Sequence, residues 1–289
     1  MATAQSGHVP APFSMPTPSS GHSTHHITLQ LNPLPTLPGP TVTAPAISSS
    51  VLTKLAQYDT PTICNVIELF DVRPYTTGYM DHRIQAAFPE MPPMVGFAAT
   101  AIFRSATAPS SAKNVYATLE SMAELFATLP GPSVVVFQDV DDPAIGATFG
   151  EVMCSTYKAF GSVGLITSGG GRDLLQVKAL GYPVFTGSTI CSHAYCQTLD
   201  VGSPIRVGGL AVATGDLLHG DANGVTNIPI ELAAEIADAA AELVAAENHV
   251  LDYVKADGPK TVADLATKRA AMSEAMAAIR RRVSRKNRS

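Results

Sequence analysis

The sequence has few charged residues, few cysteines and no long apolar run. Only 15% of its 289 residues are Asp, Glu, Lys or Arg, which is too few for a charged coiled coil or a highly charged disordered chain. Four cysteines are too few for a disulfide scaffold, so we expect a reducing compartment and a cytoplasmic protein. A hydrophobic membrane-spanning helix needs about 18 consecutive apolar residues, and no such run occurs.

What is present indicates a globular protein with a large core. Hydrophobic residues make up 46% of the chain, and its formal charge is −5. Six basic residues lie within 280–289, and the rest of the chain then has 13 basic and 24 acidic residues, a net charge of −11. So acidic a body argues against nucleic-acid binding. A short basic end is usually solvated, with contact to RNA or anionic lipid as the alternative.

The composition divides the chain into three parts. Residues 1–50 contain nine of the 22 prolines and no Asp, Glu, Lys or Arg, so we predict a disordered tail rich in Pro, Ser and Thr. Residues 51–258 are predicted to form a single α/β domain. Residues 259–289 are predicted to form a C-terminal helix followed by the basic end.

The centre of the chain predicts parallel strands. Apolar strands over 134–137, 163–167 and 183–186 alternate with helices over 151–160 and 172–180, and this βαβαβ order favours a parallel sheet. The fold class is therefore α/β, with a parallel βαβαβ core flanked by helices. We also expect a helix over 62–70 capped by Thr60, a strand over 98–104, a helix from Ser110 or Ser111 to about 129, hairpin strands within 204–229 and a helix over 230–255.

Two glycine-rich segments follow neighbouring strands of this core. Segment 146–151 (GATFGE) opens one helix, and segment 169–173 (GGGRD), predicted to begin as a tight turn, opens the next. A helix start offers unpaired N–H groups to an anion, Arg172 can bind a carboxylate, and Asp173 suits Mg²⁺ or Mn²⁺. A surface ion pair is the simpler interpretation. The three glycines favour a site, because glycine often marks a close backbone approach.

These segments resemble the signature of the divalent-metal-dependent pyruvate aldolases, an acid followed after 20 residues by Arg-Asp, here Glu151, Arg172 and Asp173. That family includes 4-hydroxy-4-methyl-2-oxoglutarate aldolase and the regulator of ribonuclease E activity A, and many members were mislabelled demethylmenaquinone methyltransferases. The resemblance covers about residues 51–255. Further short segments resemble the family in the same order along the chain: PPMVGF (92–97), GSVG (161–164), ALGYPVF (179–185), VGG (207–209), GDL (215–217), GDANGV (220–225) and IP (228–229).

The resemblance implies a swivelling β/β/α-type fold and a role for each matching residue. Asp173 would be the metal ligand, and Glu151 would hold a metal-bound water. Arg172 would bind the oxo acid and stabilise enolate charge. Substrate-binding amides would come from the backbone around Phe149, Gly150, Glu151 and Val152. The resemblance also implies a homotrimer or a hexamer of two trimers. There a neighbouring subunit could supply an acid from 215–225.

The function implied is a metal-dependent lyase that cleaves 4-hydroxy-2-oxo acids to pyruvate by a retro-aldol reaction and could decarboxylate oxaloacetate. Its partners would be a small 2-oxo acid and copies of itself, with no nucleic acid and no membrane. A non-catalytic regulatory protein on the same scaffold, of the ribonuclease-inhibitor kind, is the alternative. The sequence departs from the family at Ser168, where many members have Asp, and at Glu151, usually Asp.

Two other patterns contain residues that could bind a metal or a substrate. Cys191, His193 and Cys196 form a C-x-H-x-x-C pattern without a clear fourth ligand, which favours ordinary loop residues over a zinc site, although His193 could line the substrate entrance. His219 has a similar status, and Asp216 and Asp221 beside it are expected to shape turns.

Overall fold

The computed structural model describes residues 47–109 and 118–286. Within them the chain forms the following elements in order: α1 (Ser49–Leu55), α2 (Thr60–Leu69), β1 (Gln85–Ala86), β2 (Met94–Arg104), α3 (Leu119–Phe126), β3 (Ser133–Asp139), β4 (Ala147–Phe149), α4 (Glu151–Ala159), β5 (Ser162–Gly171), α5 (Leu174–Ala179), β6 (Val184–Thr189), β7 (Gln197–Val201), β8 (Ile205–Val207), β9 (Leu210–Val212), β10 (Leu217–Asp221), β11 (Gly224–Ile228), a 3-10 turn (Ile230–Leu232), α6 (Ala233–Lys255) and α7 (Val262–Val283).

One mixed sheet dominates the described part of the chain. Its strand order is β1-β6-β5-β3-β2-β10-β11, with β4 on β5 and β7 on β2. Strands β2, β3, β5 and β6 run parallel to one another, whereas β1, β7, β10 and β11 each pair antiparallel with a neighbouring strand. The predicted α/β class, with parallel strands in a central sheet flanked by helices, is confirmed.

Strand β3 is buried on both faces, as its continuous apolar run predicts. Val135 and Phe137 pack in a core cluster that includes residues of α3, α4 and α5. Val134 and Val136 pack on the opposite face in a cluster with residues of β8, β9 and β10. Helices on one face and short strands on the other therefore hold the central strands in place.

The amino-terminal and carboxyl-terminal helices share a further core. Leu55 of α1 and Ile63 of α2 belong to the same buried cluster as Ile236 of α6 and Ile279 of α7. The C-terminal helix is thus packed into the domain.

Three arginines of the basic end form ion pairs within the chain. Arg280 bonds to Asp71, Arg282 to Glu242 at 2.6 Å and Arg285 to Glu235. The expectation of a merely solvated basic end was wrong for these arginines, because α7 lies against acidic side chains of α6 and the turn after α2.

The predicted limits of the tail and of two helices need correction. Residues 1–46 of the predicted tail lie outside the described residues, but Ser48 caps α1 by accepting from the Val51 amide at 3.4 Å. A boundary after residue 50 was therefore wrong. Helix α2 is capped by Asp59, which accepts from the Thr62 amide at 2.8 Å; the predicted cap, Thr60, is its first residue. The predicted caps of α3, Ser110 and Ser111, lie outside the described residues.

No helix within the described ranges is long and apolar enough to span a membrane.

Candidate active site

The two glycine-rich segments meet because the strands that precede them are paired. Strand β4 lies parallel to the end of β5, with Ala147 opposite Gly170 and Phe149 opposite Gly171. Gly150 then caps α4, and Arg172 and Asp173 lead into α5. The structure therefore brings the starts of α4 and α5 together, as the sequence predicted.

The three glycines of this site do not form the predicted tight turn. Gly169, Gly170 and Gly171 are the extended end of β5. Neighbouring side chains fill the space that their own would need: a Cβ at Gly170 would lie 2.8 Å from Ile190, and one at Gly171 would lie 2.2 Å from the Phe149 ring. Close packing against a strand, and not a change of chain direction, explains these glycines.

Asp173 links the two helix starts. Its Oδ2 accepts a hydrogen bond from the Glu151 amide at 3.0 Å, so its carboxylate lies at the positive end of the α4 dipole. A Cβ at Gly150 would lie 2.6 Å from the same oxygen, which explains the glycine there. Asp173 itself has φ of 55°, a left-handed conformation that is uncommon outside glycine and often found at functional sites.

Arg172 adds a cation beside this carboxylate. Its Nε lies 3.8 Å from Asp173 Oδ2, and both side chains are partly exposed. The Arg172 amide donates to the Phe149 carbonyl at 3.2 Å, which fixes the backbone from which the side chain projects. The backbone of Arg172 is therefore held in place, while part of its side chain stays exposed to solvent.

A small cavity of about 30 Å³ lies at this point. All the residues predicted for the site line it: Phe149, Gly150, Glu151, Val152, Arg172 and Asp173. His193, expected near the substrate entrance, lines it as well, together with Ala147, Met153 and Cys196, which the sequence reasoning missed. So small a recess suits the carboxylate end of a ligand and not a whole metabolite.

Cys196 reaches the site through tertiary structure alone. The Ala147 amide donates to the Ser192 carbonyl at 2.7 Å, which holds the loop before β7 against β4. Burial raises the pKa of the Cys196 thiol to about 11, against the lowering effect of Arg172. Burial also raises the pKa of Cys154, with a further contribution from Asp173. Both thiols are therefore protonated near neutral pH, which disfavours thiolate nucleophiles in this site.

The residues present suit a cation that keeps much of its water. Among the described residues no group of three or more His, Cys, Asp or Glu side chains is placed to hold a metal ion, so the zinc interpretation of Cys191, His193 and Cys196 finds no support. The His193 ring bonds instead to the Ala194 carbonyl at 2.7 Å. Mg²⁺ differs from zinc, since it is bound by one or two carboxylates plus waters and substrate oxygens. Asp173, partly exposed and beside Glu151, fits that chemistry.

The acidic side chains on and beside β10 accept hydrogen bonds from backbone amides of the same chain. Asp216 accepts from the Ala213 amide at 2.8 Å, and Asp221 accepts from the amides of Thr60 at 2.9 Å and Asn223 at 2.8 Å. Both therefore shape turns, as expected, and an acid donated from 215–225 to a neighbouring subunit would have to break these bonds. His219 is fully buried, bonded to Thr60 and the Leu55 carbonyl, which is a structural role.

Comparisons with known proteins identify a family and a related protein. The family described as RraA-like, Aldolase/RraA, matches residues 60–226. A curated protein of Halalkalibacterium halodurans named putative 4-hydroxy-4-methyl-2-oxoglutarate aldolase is 32% identical over 112 residues, which is 38% of this chain and 52% of the relative. The match thus spans about half of that relative.

Two solved structures share the fold. One is an uncharacterised protein of Pseudomonas syringae pv. tomato, with a TM-score of 0.61 and 22% identity over 81% of this chain and 98% of the other. The second is RraAS2 of Streptomyces coelicolor, described as an unusual member of the RNase ES inhibitor RraA family. It has a TM-score of 0.56 and 20% identity over 73% of this chain and 98% of the other.

Proposed function

The chain belongs to the RraA-like family, and from that membership we propose that it is a divalent-metal-dependent lyase that cleaves 4-hydroxy-2-oxo acids to pyruvate and decarboxylates oxaloacetate. One observation carries the proposal: the start of α4, the Arg172 guanidinium and the Asp173 carboxylate converge on one recess, with Asp173 Oδ2 at 3.0 Å from the Glu151 amide. A regulatory scaffold has no need of this arrangement. The name of the curated relative also supports it.

Binding of the substrate carboxylate falls to the start of α4. The first amides of a helix have no partner within the helix. Here Asp173 already uses the Glu151 amide, so the amides of Val152 and Met153 remain for the ligand. Arg172 lies beside them and can donate two hydrogen bonds to a carboxylate or keto oxygen. In this proposal a 2-oxo acid lies with its charged end in the recess and its C4 end outward.

Cleavage of the C3–C4 bond requires one group that accepts its electron pair and another that accepts the proton of the C4 hydroxyl. When the C3–C4 bond breaks, its electron pair moves onto the keto oxygen as an enolate, which Arg172 stabilises with fixed positive charge. Asp173 would hold Mg²⁺ or Mn²⁺, which supplies Lewis-acid polarisation of that oxygen when bound. Glu151 would orient the water that accepts the proton of the C4 hydroxyl. Cleavage yields the pyruvate enolate and a carbonyl compound, and return of that proton to C3 of the enolate gives pyruvate.

The distal part of the substrate lies outside the small recess. We therefore propose that a neighbouring copy closes the mouth, as a trimer or a hexamer of two trimers. The apolar side chains of Val152 and Leu175, beside the site, are 55% and 81% exposed. A neighbouring copy seated there would remove this apolar surface from water. Light scattering on the 30.1 kDa chain, with activity measured on dilution, tests this; a fully active monomer would contradict it.

Pyruvate release tests the lyase. We would measure pyruvate from oxaloacetate and from 4-hydroxy-4-methyl-2-oxoglutarate, with Mg²⁺ and with a chelator, against enzyme-free blanks because the metal alone decarboxylates oxaloacetate. Asp173→Asn should abolish activity without altering the melting temperature, since an amide is a poor Mg²⁺ ligand. Asp257→Asn, at an exposed position after α6, is the matched control. Activity of folded Asp173→Asn near wild type would refute the assignment, and inactivity of the wild type with inhibition of a ribonuclease would favour a regulator.

A further inference from the structure

His193 lines the recess of the candidate active site but has no task in the proposed reaction. It lies there with the three assigned residues Glu151, Arg172 and Asp173. Of the other residues that line the recess only Cys196 has an ionisable side chain, and burial raises the pKa of its thiol to about 11. Histidine is the side chain that most often transfers protons in enzymes, so the placement of its ring decides what it can do here.

The loop that carries His193 is held against β4. The Ser192 carbonyl accepts from the Ala147 amide at 2.7 Å, and the His193 carbonyl accepts from the Cys196 amide at 3.0 Å. A Cβ at Gly146 would lie 2.9 Å from the carbonyl carbon and oxygen of His193, so glycine allows the loop to lie this close. The backbone of His193 is therefore held in place.

The ring of His193 is held as well. Its Nδ1 lies 2.7 Å from the Ala194 carbonyl oxygen, and because a carbonyl only accepts, Nδ1 carries the proton of this bond. In the neutral ring Nε2 is then an acceptor, and it has no hydrogen-bond partner within the described ranges. Ala194 has φ of 45°, a left-handed conformation that is uncommon for a residue with a Cβ and is concentrated at functional sites. One ring nitrogen is thus anchored to the backbone, and the other is free to exchange a proton.

The size of the recess limits which part of a substrate His193 can meet. Its volume of about 30 Å³ is close to the share of one water molecule in the liquid, so a group that enters it contacts several walls at once. In the proposed function the start of α4, Arg172 and Asp173 take the carboxylate and the keto oxygen. The wall that remains includes Ala147, Cys196 and His193. The carbon bonded to the keto group, C3, is the part of the substrate left for that wall.

We propose that His193 is the catalytic acid and base at C3, a role that rests on the oxo-acid binding of the proposed lyase. After cleavage, Nε2 takes the C4 hydroxyl proton from the water that Glu151 orients, and the ring becomes an imidazolium. Nε2 then gives this proton to C3. The electron pair of the enolate double bond forms the new C–H bond, and the enolate oxygen restores the keto group. In the reverse direction neutral Nε2 removes a proton from C3 of pyruvate, and the keto oxygen becomes an enolate.

The reverse step can be measured without any cleavage. The full chain, pyruvate and Mg²⁺ are incubated in D₂O, and the loss of the methyl proton signal of pyruvate is followed by NMR against Mg²⁺ alone. His193→Ala should slow this exchange about 100-fold or more, the usual contribution of general acid–base catalysis. Isothermal titration should give a pyruvate Kd within about threefold of the wild-type value, because other groups bind the carboxylate and the keto oxygen.

Three further measurements separate proton transfer from a structural role. His249→Ala, at an exposed position of α6, is the matched control and should exchange like wild type. His193→Gln should be as slow as His193→Ala, since a side-chain amide does not take up a proton near neutral pH. It carries the test if a melting curve shows that His193→Ala is unfolded. Added imidazole should speed the exchange by His193→Ala at least about tenfold, because it supplies the missing base.

Exchange by a folded His193 variant within about threefold of wild type would overturn the proposal. A loss that weaker pyruvate binding explains, or that imidazole does not restore, would overturn it too. A wild type that releases pyruvate from 4-hydroxy-2-oxo acids but does not exchange the methyl protons would refute the role of His193 and leave the lyase standing. Methyl exchange that depends on His193, without pyruvate release from either substrate, would support His193 and refute the lyase. A wild type with neither activity refutes both.

Discussion

Replacing Asp139 by Asn should change how the stability of the domain depends on pH. Burial raises the pKa of this carboxyl from its ordinary 3.8 to about 6. Below pH 3.8 the group is protonated in both the folded and the unfolded chain. Between those values the unfolded chain releases the proton while the folded chain keeps it, so rising pH favours unfolding. The stabilisation of the folded chain by protonated Asp139 is therefore complete below about pH 3.8 and is lost once the pH passes about 6.

The size of the effect follows from the shift. At about 1.4 kcal/mol per pKa unit, a shift of roughly two units is worth about 3 kcal/mol. Asparagine keeps the oxygen that accepts from the Asp141 amide and removes the titration. The free energy of unfolding of Asp139→Asn minus that of wild type should thus rise by about 2.5 kcal/mol between pH 4 and pH 8, since the unfolded carboxyl is already partly ionised at pH 4. Any constant cost of the buried amide cancels from this difference.

Urea denaturation of both proteins at several pH values is the assay. The other carboxyl groups titrate in both proteins, so their contributions cancel as well. Asp257→Asn, at an exposed position, is the control and should give a difference that does not vary with pH. A difference for Asp139→Asn that stays constant to within about 0.5 kcal/mol would show that this carboxyl is ionised normally in the folded chain.

Three further outcomes are expected. Arg172→Lys should lower kcat and raise KM for oxaloacetate, because lysine keeps the charge but loses the planar fork; unchanged kinetics would place Arg172 outside the reaction. Gly171→Ala should lower the free energy of unfolding by about 1–3 kcal/mol in urea, since its Cβ would lie 2.2 Å from the Phe149 ring; wild-type stability would refute that packing argument. Deletion of residues 1–46, which hold no formal charge, should leave the melting temperature unchanged, whereas deletion of 1–50 should lower it because the Ser48 cap of α1 is lost; equal melting temperatures would contradict the role of that cap.

The candidate site was predictable from the sequence because its parts are local. Glu151 and Arg172 each follow a glycine-rich segment at a strand end, and parallel strands bring their carboxyl ends to one edge of the sheet. The βαβαβ order was enough to place both segments there. The structure confirms their proximity through the pairing of Phe149 with Gly171.

Other features depend on contacts between distant segments. The glycines at 169–171 suggested a turn, since sequence does not distinguish a glycine that bends the chain from one that a neighbouring ring packs against. Cys196 enters the site only because the loop before β7 crosses β4. The limits of helices were also missed where either of two neighbouring residues could cap, as with Asp59 and Thr60.

By itself, the sequence determined the fold class and which residues form the candidate site, because hydrophobic periodicity and the local Arg172-Asp173 motif can be read from the order of residues. Tertiary structure alone decided which charges have partners. Arg280, Arg282 and Arg285 are paired with acids far away in the sequence, whereas Asp139 Oδ2 has no hydrogen-bond partner among the residues that the structure describes. The physical reason is that desolvation and pairing depend on distances through space, which the order of residues does not fix.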